Sequence, residues 1–160
     1  MKYTGNLKAF PLLSGISDAD LNILSEMMKE KKIKSGENII VEGETGDEVF
    51  LLMEGTVDIL RSTVFGEQFV VATLDAASHS IFGEMAVIDR DRRSATVHAR
   101  TDCVTLSVTR HDFDSFCEEH PASGVKLIRL IAVSLAKNIR TENENLRMVY
   151  QALIEEIETD

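Results

Sequence analysis

Cysteine is scarce in this sequence: Cys103 and Cys117 are the only two in 160 residues, and they form no CxxC pair. Two isolated thiols cannot build a disulfide framework, so reduced thiols and a cytoplasmic setting are expected. Long hydrophobic runs are missing too. No segment approaches the ~20 apolar residues that span a bilayer, and the N-terminal MKYTGNLKAF has no apolar signal core. The expectation is a soluble, unprocessed protein with no membrane contact. Basic excess is also absent. Lys and Arg number 17 against 27 Asp and Glu, a formal net charge of −10, which opposes the phosphate neutralisation that drives nucleic-acid affinity. Direct DNA binding by this chain is not expected.

Catalytic signatures are lacking as well. There is no GxxxxGK[ST] phosphate loop and no nucleophile context around a serine or cysteine. His79, His98, His111 and His120 make no HxH or HxxxH pair, which argues against a cupin-like metal site. Asp89 and Asp91 sit in a loop full of arginines that would keep both ionised, a poor setting for acid/base work. The chain is therefore read as a non-enzyme that needs neither cofactor nor metal.

What is present fits one compact domain with an appended helix. The 44% hydrophobic content is ordinary for a globular chain of this length. Ser17 and Asp20 can form a capping box ahead of Leu21, Leu24 and Met28, predicting a helix from about Asp18 to Glu30. From Lys32 to Val108 the texture changes to short runs rich in Val, Ile, Thr and Phe, separated by glycines. NIIVEG, VFLLMEG, TVDILR, FVVATL, ATVHAR and CVTLSV are the candidate strands, and Gly36, Gly43 and Gly55 are expected to adopt conformations that other residues resist. Such spacing points to a sandwich, jelly roll or barrel.

Helical periodicity returns after Thr109. Thr109 and Asp112 can cap a short helix carrying Phe113 and Phe116, which Pro121 interrupts. A longer helix follows from about Ser123, with Leu127, Leu130, Ile131, Leu135, Ile139, Leu146, Tyr150, Leu153 and Ile157 at steps of mostly three and four. Ile139, Leu146 and Leu153 keep a seven-residue spacing suited to a coiled-coil seam, interrupted by polar Glu142 and Asn143. The expected division is a domain over 1–122 and a C-terminal helix over 123–160 that serves as lid and dimerisation element.

The densest chemistry lies in FGEMAVIDRDRRSATV, residues 82–97. Gly83 followed by a helix-like turn presents the N–H groups of Glu84, Met85 and Ala86, where an oxyanion is stabilised by unpaired donors and by the dipole. Arg93, ten residues on at the start of a strand, could return its planar fork to the same anion. Glu84 would be repelled by a phosphate, so its use is to accept a hydrogen bond from a neutral donor such as a sugar hydroxyl. A small phosphorylated sugar or nucleotide, held without a metal, meets both needs. Arg90 and Arg92 are read as loop charges paired with Asp89 and Asp91.

This stretch closely resembles the phosphate-binding cassette of the cyclic nucleotide-binding domains found in bacterial catabolite activators, cyclic-nucleotide-dependent kinases and gated channels. GENIIVEGETGDEVFLLMEGTVDIL resembles the strand and turn signature that precedes it. The resemblance implies a mainly β fold with flanking helices: a double-stranded β-helix, or jelly-roll-like β-roll, with an N-terminal helix, a short cassette helix and a long C-terminal helix. It implies that Glu84 accepts the ribose 2′-hydroxyl and Arg93 pairs with the cyclic phosphate. The backbone of Gly83, Met85, Ala86, Ser94 and Ala95 would line the phosphate pocket. Serine rather than threonine at Ser94 leans toward cAMP, with cGMP second, and a rough match of helix registers sets Glu142 and Asn143 near the base. The implied function is a sensor whose C-terminal helix moves on binding and alters a homodimer or partner interface. AASHSIFGE departs from the usual Gly-Asp-type turn before the cassette, and the sequence ends at Asp160 without a helix-turn-helix segment. The alternative from another class is a structural dimerisation or docking domain with an empty or degenerate pocket.

Overall fold

Eight short strands build two antiparallel four-stranded sheets in the computed structural model, which describes residues 4–159. Met1 to Tyr3 of the N-terminal MKYTGNLKAF stretch, and Asp160, lie outside the described residues. The strands are β1 (Lys29–Ile33), β2 (Asn38–Ile40), β3 (Glu48–Glu54), β4 (Thr56–Ser62), β5 (Gln68–Asp75), β6 (Ile81–Phe82), β7 (Thr96–Ala99) and β8 (Cys103–Thr109). One sheet runs β1-β8-β3-β6 and the other β2-β7-β4-β5. This is the jelly-roll-like β-roll expected from the sequence.

The run VFLLME explains how the layers stack. Val49 and Leu51 face one side of β3 and join a core with Phe113, Phe116, Leu127 and Ile131 of the helices. Phe50 and Leu52 face the other side and pack with Ile40, Val57, Phe82 and Val97 between the sheets. A strand buried on both faces reads as a continuous apolar run rather than as an alternation, and full burial of each such side chain stabilises the fold by ~1.5–3 kcal/mol. The layers are therefore helices, sheet and sheet.

Helix α1 (Asp18–Met27) starts where the cap pair predicts, with the Ser17 side chain accepting from the Asp20 N–H at 3.1 Å. It ends at Met27, short of Glu30, because Met28 turns extended and Lys29 enters β1 opposite Ser107. Gly36, Gly43 and Gly55 take positive φ values of 91°, 82° and 92°. Helix α2 (Arg110–Glu119) is capped by Thr109, whose hydroxyl accepts from the Asp112 N–H at 3.1 Å and donates to the Asp112 carboxylate at 2.8 Å.

Helix α3 (Pro121–Thr159) opens on proline, which is tolerated in a first turn. Its start is pinned to α1: Asp20 accepts from Ser123 Oγ at 2.6 Å and lies 3.0 Å from His120 Nδ1. Leu127 and Ile131 are buried and Leu135 packs at the edge of the core, while residues 137–157 are all exposed. Half of α3 thus stands clear of its own domain.

Candidate functional site

Two loops and one turn converge at the open end of the β-roll. Gly83 has φ +75°, a left-handed conformation that opens the short 3₁₀ turn Glu84–Val87 directly after β6. Only glycine adopts this without strain. Ala86 and Val87 are buried and anchor the turn, whereas Met85 is exposed and Glu84 is half-buried. Burial pushes the Glu84 carboxyl above the ordinary carboxylate range, opposed by its own backbone N–H.

Arg93 comes to this turn from the segment before β7. Its backbone is fixed against the loop after β2, with Arg93 N–H donating to Glu44 O at 2.9 Å and Gly43 N–H donating to Arg93 O at 2.8 Å. The guanidinium donates to Glu48 O at 2.8 Å and, more weakly, to Gly83 O at 3.4 Å. Carbonyls are its partners, and no carboxylate lies within 4.0 Å among the described residues. Burial lowers the Arg93 pKa from its usual value, against the opposing pull of Glu48 and Asp47, yet arginine stays charged. The arrangement is a half-buried cation beside the N-terminal end of a helical turn, with three of its five N–H donors uncommitted to the described residues. Such a pair of features favours an anion.

Close approach explains how the fork is held. A Cβ at Gly46 would lie 2.6 Å from Arg93 Nε and 2.8 Å from Nη2, and one at Gly83 would lie 2.9 Å from Nη1. The guanidinium is sandwiched between two glycines. Gly83 is marked by its motif, whereas Gly46 carries no signal beyond its place in ETGDE, two residues before the strand that supplies the Glu48 carbonyl. The Glu48 side chain points elsewhere. It is bound by Lys31 Nζ at 2.6 Å and Ser107 Oγ at 3.0 Å, and despite burial these bonds hold it below the usual carboxylate range.

The structure brings Gly83, Glu84, Met85 and Ala86 together with Arg93, while Ser94 is exposed and Ala95 half-buried just beyond the arginine. Glu84 and Arg93 share no ion pair among the described residues, so both keep capacity for other partners. Glu142 and Asn143 are exposed on the projecting half of α3, and no hydrogen bond links them to the turn.

The neighbouring arginines behave differently from the expectation. Asp89 and Asp91 accept backbone N–H bonds from Asp91 at 3.2 Å and Arg92 at 2.8 Å, making local turns instead of ion pairs with Arg90 and Arg92. Arg92 reaches across to Gly43 O at 2.8 Å. Arg90 and both aspartates line an open cavity of about 550 Å³ toward α2 whose walls exclude Glu84, Arg93 and Ser94. That cavity shares Gly46 and Ala86 with the anion site and is closed on the α2 side by Arg110, His111 and Asp114. The histidines make local contacts: His79 sits edge-on to Phe10, His98 bonds Asn38 and His120 bonds Asp20. Among the described residues no group of three His, Cys, Asp or Glu is arranged to hold a metal ion. No helix among the described residues is long and apolar enough to cross a membrane.

The family model for the cyclic nucleotide-binding domain matches residues 30–120. A cAMP-dependent protein kinase regulatory subunit from Yarrowia lipolytica is 32% identical over 111 residues, covering 69% of this chain and 28% of the relative. A cyclic AMP receptor protein from Thermus thermophilus is 25% identical over 126 residues, covering 79% of this chain and 57% of that protein. The chain thus spans between about a quarter and little more than half of these relatives. The solved structure of a cyclic nucleotide-binding domain from Methylobacillus flagellatus superimposes with a TM-score of 0.80, at 21% identity, covering 90% of this chain and 82% of the other.

Proposed function

This chain belongs to the cyclic nucleotide-binding domain family, and on that premise we propose that it senses cAMP through Glu84 and Arg93 and passes the signal on through α3. The observation that carries the reading is the Arg93 guanidinium, held between Gly46 and Gly83 beside the Glu84–Val87 turn. An anionic phosphate is a stronger acceptor than the two carbonyls now engaged, so it would draw the fork away from Gly83 O and Glu48 O. The turn's first N–H groups meet the same phosphate. Glu84, in its ionised form, accepts from the ribose hydroxyl next to it. A small residue at Ser94 leaves the purine unselected by a threonine hydroxyl, which favours adenine over guanine, and the cAMP named in both curated relatives supports this choice.

The output is assigned to α3. Ile139, Leu146, Tyr150, Leu153 and Ile157 are between 48% and 75% exposed, an apolar stripe that water does not favour. The stripe fits a second copy of the chain, so the reading is a homodimer whose helix seam responds to the ligand.

Calorimetric titration tests the site. Wild type should bind cAMP saturably and more tightly than cGMP. Arg93→Ala should weaken binding by about 10- to 100-fold, the weight of one or two charge-assisted hydrogen bonds. Absence of saturable binding, or undiminished binding by Arg93→Ala, overturns the assignment.

A further inference from the structure

Two arginines hold the two ends of the Gly83–Asp89 segment. Arg93 bonds the carbonyl at its start, Gly83 O. Arg110, the first residue of α2, holds its end, with Nη2 donating to Ile88 O at 2.9 Å and Nη1 donating to Asp89 O. The Arg110 backbone N–H also donates to Asp47 O at 2.6 Å, next to the Glu48 carbonyl that Arg93 occupies. Asp114, one turn along α2, lies 3.8 Å from Arg110 Nε and aims the fork. Carbonyls at the end of a helical turn lack intrahelical donors and carry negative partial charge. A planar guanidinium can satisfy two adjacent ones at once, which a lysine ammonium cannot do with the same geometry.

We propose that Arg110 is the positioning residue that converts movement of the Gly83–Asp89 turn into movement of α2 and α3. The inference rests on the reading that a cyclic nucleotide binds at Arg93. Phosphate binding exchanges the Arg93 bonds and releases the front of the turn, while the back stays fastened to the first residue of α2. The turn then moves only by carrying the start of α2 with it. Helix α2 passes the displacement on because it meets α3 closely: a Cβ added at Gly124 would lie 2.9 Å from Cys117 Cα. A second route exists through Val87, which packs in the same core as Phe113 and Leu127. Apolar packing is non-directional, whereas the fork fixes both distance and direction, so the polar route is assigned the signal.

The experiment compares full-length wild type, Arg110→Ala and Arg110→Lys by calorimetry with cAMP and by hydrogen exchange of α2 and α3 with and without cAMP. In wild type, cAMP should change exchange in α2 and in the start of α3. Both variants should bind cAMP within about fivefold of wild type, near the lower edge of ordinary coupling, yet lose that cAMP-dependent change. Arg110→Lys keeps a positive charge and a long stem, so it covers the case in which Arg110→Ala folds poorly. A variant that binds cAMP and retains the full change in α2 and α3 overturns the proposal and returns the signal to Val87. A folded variant that binds no cAMP also overturns it, placing Arg110 in the site itself. Failure of wild type to bind cAMP is a different result, which removes the site reading beneath it.

Discussion

Gly46 lies so close to Arg93 that a single methyl group there would fall 2.6 Å from the arginine Nε. Gly46 is not among the positive-φ glycines, so alanine is tolerated by the backbone but collides with the fork. Gly46→Ala should therefore weaken cAMP binding by about tenfold or more, the loss of at least one charge-assisted hydrogen bond, with little change in melting temperature. Gly36→Ala is the control, since φ there is +91° and nothing lies within 4 Å of the added Cβ. It should cost about 1–2 kcal/mol of stability and leave binding unchanged. Calorimetry and thermal melts on both variants check the pair.

The raised pKa of Glu84 predicts how binding responds to acid. Only the ionised carboxylate is a pure acceptor for a ribose hydroxyl, and burial makes that form harder to keep. Affinity for cAMP should hold at neutral pH and fall as the pH drops through a value above the ordinary carboxylate range. Glu84→Gln should bind about tenfold more weakly at pH 7, by the weight of a hydrogen bond to a charged group, and should lack that acid limb. Titrations from about pH 4, near the ordinary glutamate value, up to about pH 7.5 would separate the two profiles.

Stability should follow the opposite group of carboxylates. Asp58 is held below its usual value by the Thr73 hydroxyl at 2.7 Å and then, against some desolvation, by Arg100 Nε at 2.9 Å. Asp20 is lowered chiefly by Ser123. A lowered folded-state pKa stabilises above the unfolded value, and that stabilisation is lost as pH falls through the folded value. The melting temperature should therefore decline below about pH 4, where free aspartate titrates. Asp58→Asn should cost about 1–3 kcal/mol at pH 7 and flatten the acid decline, as read by denaturant melts at several pH values.

The exposed half of α3 predicts an oligomeric state. Ala136, Asn143, Tyr150 and Ile157 alternate with Ile139, Leu146 and Leu153 in steps of three and four, beginning where burial against the β-roll stops. In a parallel pair this register sets Glu142 of one copy beside Arg147 of the other. Wild type should sediment as the proposed dimer and Leu146→Asp as a monomer, while the β-roll melts as before. Asn143→Leu should tighten association but broaden it to larger assemblies, because a lone polar residue in a seam restricts register and number at a cost in stability.

Much of this was legible in the sequence, for reasons particular residues make plain. Both helix caps, Ser17 with Asp20 and Thr109 with Asp112, act through a side chain and a backbone group three residues apart, so local spacing suffices. The six apolar strands announced themselves by composition. Strand β1 did not, because KEKKI has four charged residues and earns its place only by pairing with β8 across the chain. Two-residue β6 is likewise defined by its partner, Phe50 and Leu51 of β3. Gly83 and Arg93 were visible as a motif, whereas Gly46 and the Glu48 carbonyl belong to the arginine's cradle through backbone contacts that carry no side-chain signature. The aspartates beside Arg90 and Arg92 looked like ion partners by charge alone, and backbone N–H groups took them first.

The length of α3 turns a small motion into a large one. Its 39 residues extend about 58 Å at 1.5 Å per residue, with the first turns held by Asp20 through Ser123 and by the burial of Leu127 and Ile131. A tilt of about 5° at its start would carry the far end roughly 5 Å sideways. On the proposed reading, a displacement at the cassette too small to alter the β-roll would thus swing the seam residues at the tip sideways by several ångströms, opening or closing them against a partner helix.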